Sequence, residues 1–540
     1  MNLKIFLLIL SLGILIHFLP NLNIPLHSDV TWYFRLQATN NPKLIESIPE
    51  GFKEFGAYPM PIFESIVNWY QLTGRINVLD YLSLRLFAFL AGADANLWRF
   101  FYILILSSSI TLFYLILKKL NIPAKIALFF SIGFFFIPID IWTDYKSAEP
   151  KALLFLMLSL YFGLTSKDRL HSLLSCTSLL VALLFKETFI LSLPAILGLI
   201  LWKEKVIDQI KRPVVVTVLP YLVVVLIIAL FSLSFRFLIP MKTSGYVIAP
   251  FSQLDFLSYL LKFTPSLIPG LLLGIGPWLI TLSLILIFIS FKYLKMEKVK
   301  KFYLNASFLT LILILLCTIL LNILLYYLTN RDFRDRYLLP SNFFTALTLA
   351  LLTIPLTTQL YSKLKKNKAK LSIIYLSILM ILFCFQFIKV IDVSFQNRID
   401  QNAWQSLINQ VKIKVPKNGH ILISINDPFL IETAQSLEAN TLFLGRYDLT
   451  YHLVAARELK EYQKGKDYLA FLISSFNKDR KSLPLKKEGK ILTIHLERPK
   501  TTIPYFPFSL KSLIVNPKSY LYQRFIKSKQ PYLKYSILIS

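Results

Sequence analysis

Apolar residues along this chain fall into long blocks separated by short polar connections. Eleven blocks stand out, at residues 3–20, 99–118, 124–142, 149–165, 172–186, 188–202, 214–237, 270–292, 303–328, 340–357 and 371–391. A helix that crosses a bilayer needs about 20 apolar residues, with a range of about 17–25. The blocks therefore predict about eleven transmembrane helices. The fifth and sixth are short, and Lys186-Glu187 lies between them. The first block has the basic start and apolar run of a signal peptide. No small-residue cleavage site follows at Pro20-Asn21-Leu22, so it reads as an anchor.

Two stretches break this pattern. Residues 21–98 are long for a first loop. Within them, Ile62–Leu72 and Val78–Leu90 place an apolar residue at every third or fourth position. That spacing predicts amphipathic helices lying along the membrane surface. Residues 392–540 read as an α/β domain. His420–Ile425, Thr441–Leu444, 468–473 and 490–496 predict strands. Asp427 suits the N-cap of a helix running to Leu437, and a second helix is expected from about Leu449 to Tyr462. The tail after Thr501, rich in Pro, Tyr and Lys, is expected to pack on the membrane face. The expected fold class is mainly α. A polytopic membrane domain spans 1–391, with the long outer loop at 21–98, and an extracytoplasmic α/β domain with a basic tail spans 392–540.

Lys and Arg set the orientation. Segments 118–125, 166–171, 203–213, 292–301 and 357–370 are alternate connections between blocks. They hold 19 basic residues against four acidic ones, Asp168, Glu204, Asp208 and Glu297. The positive-inside rule makes this side cytoplasmic. The N-terminus is then inside, and residues 21–98, 142–149, 238–269, 329–339 and the C-terminal domain are outside. The implied place is a plasma (inner) membrane, crossed many times.

Composition sharpens the exclusions. Only 16% of the 540 residues are charged, whereas soluble domains carry about 25%. Mean hydropathy is +0.58. A soluble enzyme and a disordered chain are both excluded. Lys and Arg number 59 against 30 Asp and Glu, a net charge of +29. In a soluble protein that surplus would suggest nucleic acid. Here the five cytoplasmic loops contribute +15 (19 minus 4), and residues 392–540 contribute +11 (23 minus 12). The first share is a topology signal. The second suits anionic headgroups or an acidic glycan. Neither points to nucleic acid, and membrane lipids are the implied partner. Cys176, Cys317 and Cys384 all lie in apolar blocks, which excludes a disulfide framework and a Cys-based zinc site.

Candidate chemistry gathers on the outer side. Asp29 stands a few residues beyond the first block, in Leu26-His27-Ser28-Asp29-Val30-Thr31-Trp32-Tyr33. Lys186 lies between the two short blocks. A charge at mid-membrane costs about 2.5–3.5 kcal/mol on insertion scales. Lys186 is therefore expected near the outer surface, either as a plain anchor or as a phosphate ligand. Asn330-Arg331-Asp332-Phe333-Arg334-Asp335-Arg336-Tyr337 is the richest basic cluster outside. Its arginines present a planar fork that fits phosphate oxygens, unless Asp332 and Asp335 simply pair with them. Asp144 and Glu149 share a short outer loop. They offer oxygens to an acceptor or a divalent metal. The simpler reading is that Glu149-Pro150 caps the next helix. No cofactor is fixed by the sequence, a divalent metal at Asp144 and Glu149 stays open, and His27 reads as a neighbour of Asp29 and not as a metal ligand.

These residues, in this order, resemble the GT-C membrane glycosyltransferases that use a polyprenyl-phosphate sugar, of the protein O-mannosyltransferase and aminoarabinose transferase type. Asp29-Val30-Thr31-Trp32-Tyr33 is similar to that family's acidic motif after the first span, with Val30 where the family carries Glu. Pro59–Phe63 resembles a Pro-Pro-Leu-Tyr segment, Lys186 a Leu-x-Lys turn, and Arg336-Tyr337-Leu338-Leu339-Pro340 an Arg-Tyr-Leu-Leu-Pro stretch. The resemblance covers most of residues 1–360 and leaves 392–540 outside. It implies transfer of a sugar from a polyprenyl-phosphate donor to a glycan, lipid or protein acceptor outside the cytoplasm. Asp29 is then the base, Lys186, Arg334, Arg336 and Tyr337 hold the donor phosphate, and Asp144, Glu149 and Arg85 support the acceptor. Two other readings stand beside it. A lipid or polysaccharide transporter would place charges near mid-membrane and show paired broken helices, whereas charges here concentrate at the outer ends of blocks. A non-catalytic envelope assembly protein would act through the C-terminal domain.

Overall fold

The computed structural model describes residues 3–22, 77–91, 94–133, 148–165, 168–209, 213–239, 305–330, 339–363, 402–417, 419–425, 449–455, 491–497 and 534–539, with a few shorter pieces. Helices occupy every expected span that falls among them. These are α1 (Leu3–Gly13), α2 (Val78–Ala91), α3 (Ala95–Lys119), α4 (Ala124–Gly133), α5 (Ala148–Thr165), α6 (Arg169–Phe185), α7 (Leu193–Trp202), α8 (Val214–Leu238), α9 (Ala306–Asn330) and α10 (Leu339–Lys363). The expected spans 270–292 and 371–391 lie outside the described residues, as do the helix at Ile62–Leu72 (apart from isolated helical residues) and the strand at Thr441–Leu444. Among the described residues, four helical segments, Asn96–Lys119, Ala148–Thr165, Val214–Leu238 and Ala306–Leu324, are long and apolar enough to cross a membrane. The chain is a polytopic membrane protein.

The chain divides into two compact units. One holds residues 1–19, 74–83 and 98–388, and the other holds 20–73, 84–97 and 389–540.

In the first unit, α5 and α6 form an antiparallel hairpin. Asp168 caps α6, its carboxylate accepting from the His171 N–H at 2.8 Å. The hairpin register follows from three contacts. The Phe162 and His171 rings meet near the turn, with centroids 6.2 Å apart. The Ser159 and Ser175 hydroxyls lie 3.3 Å apart. Phe155 stacks on Phe185 at 5.5 Å. The register therefore brings the end of α6 beside the beginning of α5. Small residues let α8 close on this hairpin. Tyr221 on α8 places its hydroxyl 2.6 Å from the Ser175 hydroxyl, which itself donates to the Ser159 carbonyl. Further along, Trp202 of α7 packs on Phe308 of α9, and Phe113 of α3 meets Phe343 of α10 edge-on. The opposite side of α8 is bare. Val215, Leu219, Leu222, Leu226 and Leu230 are all exposed there. Such a face is stable in lipid, where Leu costs nothing to expose.

The fifth and sixth blocks meet in a break. After Phe185 the backbone turns extended at Lys186, and a 3₁₀ turn covers Glu187–Ser192 before α7 begins. Pro194 lies in the first turn of α7, where proline is tolerated and sets the start of the helix.

The second unit contains a four-stranded sheet. Its strands are β1 (His420–Ile425), β2 (Thr450–Ala455), β5 (Ile491–Glu497) and β6 (Lys534–Ile539), and a separate pair is made by β3 (Leu469–Ala470) and β4 (Leu483–Pro484). The order is β2-β1-β5-β6, with β1 parallel to both neighbours and β6 antiparallel to β5. A helix over 402–414 buries Trp404, Leu407, Ile408 and Val411. Its Ser406 and Gln410 reach the Tyr535 hydroxyl at 2.8 and 3.1 Å.

One expectation fails in this unit. The helix expected from Leu449 begins as strand β2. Tyr451-His452-Leu453-Val454 carries aromatic and β-branched residues suited to a strand, and β1 offers it a full parallel ladder. Of the tail after Thr501, residues 501–533 lie outside the described residues, and Lys534–Ile539 form β6, paired to β5 along Leu492–Glu497.

The α5–α8 packing depends on Gly163. A Cβ there would collide with Ile200 and come within 2.9 Å of the Tyr221 hydroxyl. Gly163→Val should therefore lower stability by about 1–3 kcal/mol through overpacking. Thermal unfolding of the purified protein in detergent reads this as a lower Tm, and an unchanged Tm would contradict the packing.

Candidate functional site

The α5–α6 hairpin returns the chain so that the first turn of α5 faces the break after α6. Three charged residues fall there, and all are buried. Glu149 is 2% exposed, Lys151 2% and Lys186 4%. The first turn of an apolar helix is an ordinary place for a carboxylate, since it faces the positive end of the helix dipole. Glu149 is also buried there. Its carboxylate lies 3.0 Å from the Lys186 ammonium. Glu149 thus lies in the first turn of α5, as expected, and is also one half of a buried ion pair. Lys186 is buried within the protein, where Glu149 supplies the counter-charge that lets it leave water.

A second pair adjoins the first. Lys151, one helical step beyond Pro150, pairs with Asp80 of α2 and donates to the Ser83 hydroxyl at 2.9 Å. Its ammonium also lies 5.9 Å from the ring centres of Tyr102 and Phe185. Ring faces carry negative charge and attract such a cation. The four groups feel one another. Burial pushes the Asp80 carboxyl above the ordinary carboxylate value. Lys151 opposes that most strongly, Glu149 adds to it, and Lys186 opposes it more weakly. Two ammoniums and two carboxylates make the cluster neutral overall. Beside it, Glu187 keeps one carboxylate oxygen buried without a hydrogen-bond partner.

The structure thus brings together two of the residues singled out in the sequence, Lys186 and Glu149. Arg85 lies on α2, a helix where one was expected, but its side chain is outside the described residues. Asp29, Asp144, Arg334, Arg336 and Tyr337 are also outside them. Asp80, Ser83 and Lys151 went unnoticed in the sequence. One signal was available: Asp80 interrupts an amphipathic stretch, and Lys151 opens an apolar block. Among the described residues, no three His, Cys, Asp or Glu side chains gather into a metal-binding group.

Such a cluster can exchange counter-ions. The Lys186 ammonium and the Glu149 carboxylate lie in a low-dielectric setting, where an incoming anion of higher charge competes for an ammonium. No protein-family model and no curated protein matches the chain. Among solved structures, the crystal structure of ArnT from Cupriavidus metallidurans bound to undecaprenyl phosphate is similar over 96% of this chain and 95% of that one, at 11% identity and a TM-score of 0.40.

The ion pair predicts strong coupling. Lys186→Met leaves Glu149 buried and unpaired and should cost about 3–5 kcal/mol. Adding Glu149→Gln should recover most of that loss, since both charges are then gone. Unfolding in detergent across the four proteins of the cycle measures this, and additive losses would refute the pairing.

Proposed function

We propose that this chain is a membrane glycosyltransferase of GT-C type. It moves a sugar from a polyprenyl-phosphate donor to an acceptor outside the cytoplasm. The observation that carries this reading is the Glu149–Lys186 pair. A buried ammonium at the break between two apolar helices, balanced by an exchangeable carboxylate, suits the phosphate of a lipid whose chain stays in the bilayer.

The chemistry assigns each group a task. The acceptor hydroxyl attacks the anomeric carbon of the donor sugar. Asp29 takes the hydroxyl proton as the new C–O bond forms. The bond from the anomeric carbon to phosphate oxygen breaks, and the polyprenyl phosphate leaves with that electron pair. Lys186, with Arg334, Arg336 and Tyr337, stabilises the charge gathered on the phosphate. A free Asp has a pKa near 3.9, so Asp29 is ionised at neutral pH and ready to accept the proton. Single displacement inverts the anomeric centre. Asp144 and Arg85 orient the acceptor, and Glu149 holds Lys186 until the donor arrives. The acceptor is a glycan, a lipid or a protein, and the basic domain over 392–540 is suited to recognising an acidic one.

The test is mass analysis of products from membranes supplied with labelled polyprenyl-phosphate sugars. The intact protein should yield a labelled acceptor. Asp29→Asn should lower transfer by about 10²-fold or more, while the protein still inserts and folds, because general-base assistance is worth roughly 10²–10⁴-fold. Full transfer by Asp29→Asn would remove the assignment of the base. Movement of the lipid across vesicles without any sugar transfer would favour a transporter instead.

A further inference from the structure

The exchangeable pair explains Glu149 and Lys186 but leaves Lys151 without a task. Lys151 is bound on several sides. Its ammonium is already occupied by several protein groups, namely the Asp80 carboxylate, the Ser83 hydroxyl and the faces of two rings. A group so placed holds elements together. The elements it joins are three: the start of α2 through Asp80 and Ser83, α3 through Tyr102, and the end of α6 through Phe185.

Phe185 is the important contact, because it immediately precedes Lys186. At Lys186 the backbone leaves the helix, with φ −154° and ψ 103°. Its N–H still bonds the Ala182 carbonyl at 2.9 Å, and its carbonyl accepts from the Phe189 N–H at 3.1 Å, so the backbone here joins α6 to the 3₁₀ turn. The residue before it, Phe185, is gripped from two sides. That ring stacks on Phe155, with centroids 5.5 Å apart and planes 18° apart, and it also meets the Lys151 ammonium. Phe155 and Lys151 both belong to α5, which also carries Glu149. One helix therefore supplies the counter-ion of Lys186 and the grip on its neighbour.

We propose that Lys151 is a positioning residue for anion capture at Lys186. It ties the amphipathic helix α2 to the break after α6 and holds the Lys186 ammonium against Glu149, ready to meet a lipid phosphate. This rests on the reading of Lys186 as the phosphate-binding cation. The experiment separates the two claims.

The full-length protein in detergent is compared with Lys151→Met, Lys151→Arg and Phe185→Leu. Acetylation of Lys186 by an amine-reactive reagent, read by peptide mass spectrometry, reports whether that ammonium is held. Binding of farnesyl phosphate, against farnesol as the neutral control, reports anion capture. Lys186 should be protected in the parent and in Lys151→Arg, and acetylated several-fold faster in Lys151→Met. Affinity for farnesyl phosphate should fall about tenfold in Lys151→Met, the scale of one lost hydrogen bond to a charged group. Phe185→Leu leaves all four charges in place and should also speed acetylation of Lys186. It decides the matter if Lys151→Met fails to fold. Unchanged protection of Lys186 in a folded Lys151→Met or in Phe185→Leu would overturn the positioning role. If acetylation rises but the parent holds farnesyl phosphate no better than farnesol, the phosphate reading falls and the grip of Lys151 on Lys186 stands.

Discussion

The first unit depends on keeping charge inside an apolar bundle. An ammonium or carboxylate removed from water loses several kcal/mol of hydration even after relaxation, and a partner must return most of it. The chain meets this constraint with two pairs placed side by side. Glu149 answers Lys186, and Asp80 answers Lys151. The geometry around them follows from that need. The α5–α6 hairpin must be long enough to bring residue 186 back to residue 149. The helix must end at Phe185, so that Lys186 turns toward the first turn of α5. The start of α2 must dock where Asp80 reaches Lys151. Phe155, Tyr102 and Phe185 fill the space between with ring faces that tolerate a cation.

The two pairs are not equivalent. Lys151 is surrounded by fixed protein partners and joins three elements. Lys186 pairs with Glu149 and lies at a break in the helical backbone. In the proposed reading one cation organises and the other captures. It also gives the neutral sum of the cluster a purpose. The resting site carries no net charge to destabilise the bundle, while each cation keeps its own counter-ion.

Much of the fold was legible in the sequence. The bilayer demands apolar runs of a fixed length, and those runs cannot hide. Helices therefore appear at each described block, and the short pair around Lys186 appears as a true break. Lys186 itself was legible for the same reason, since a charge between two apolar blocks is costly and calls for an account. Asp80 and Lys151 were not. A carboxylate in an amphipathic helix reads as solvated, and its partner lies 71 positions away in the chain, a pairing that no local pattern encodes. Glu149 read more simply as a cap because Glu-Pro at a helix start has an adequate local explanation. In the second unit, Leu449, Leu453 and Ala456 mimic a helical period. Only the parallel ladder with β1, a long-range contact, settles Thr450–Ala455 as a strand. The last strand was hidden in the same way, since six residues at the end of a basic tail acquire meaning only beside β5.

The central claim is that the Lys186 ammonium exchanges its carboxylate for a lipid phosphate. An experimental structure of the full-length protein with farnesyl phosphate tests this most directly. The account predicts phosphate oxygens within hydrogen-bond distance of Lys186, the Glu149 carboxylate displaced from its place 3.0 Å away, and Lys151 still on Asp80 and Ser83. A phosphate bound elsewhere, with the Glu149–Lys186 pair intact, would contradict it.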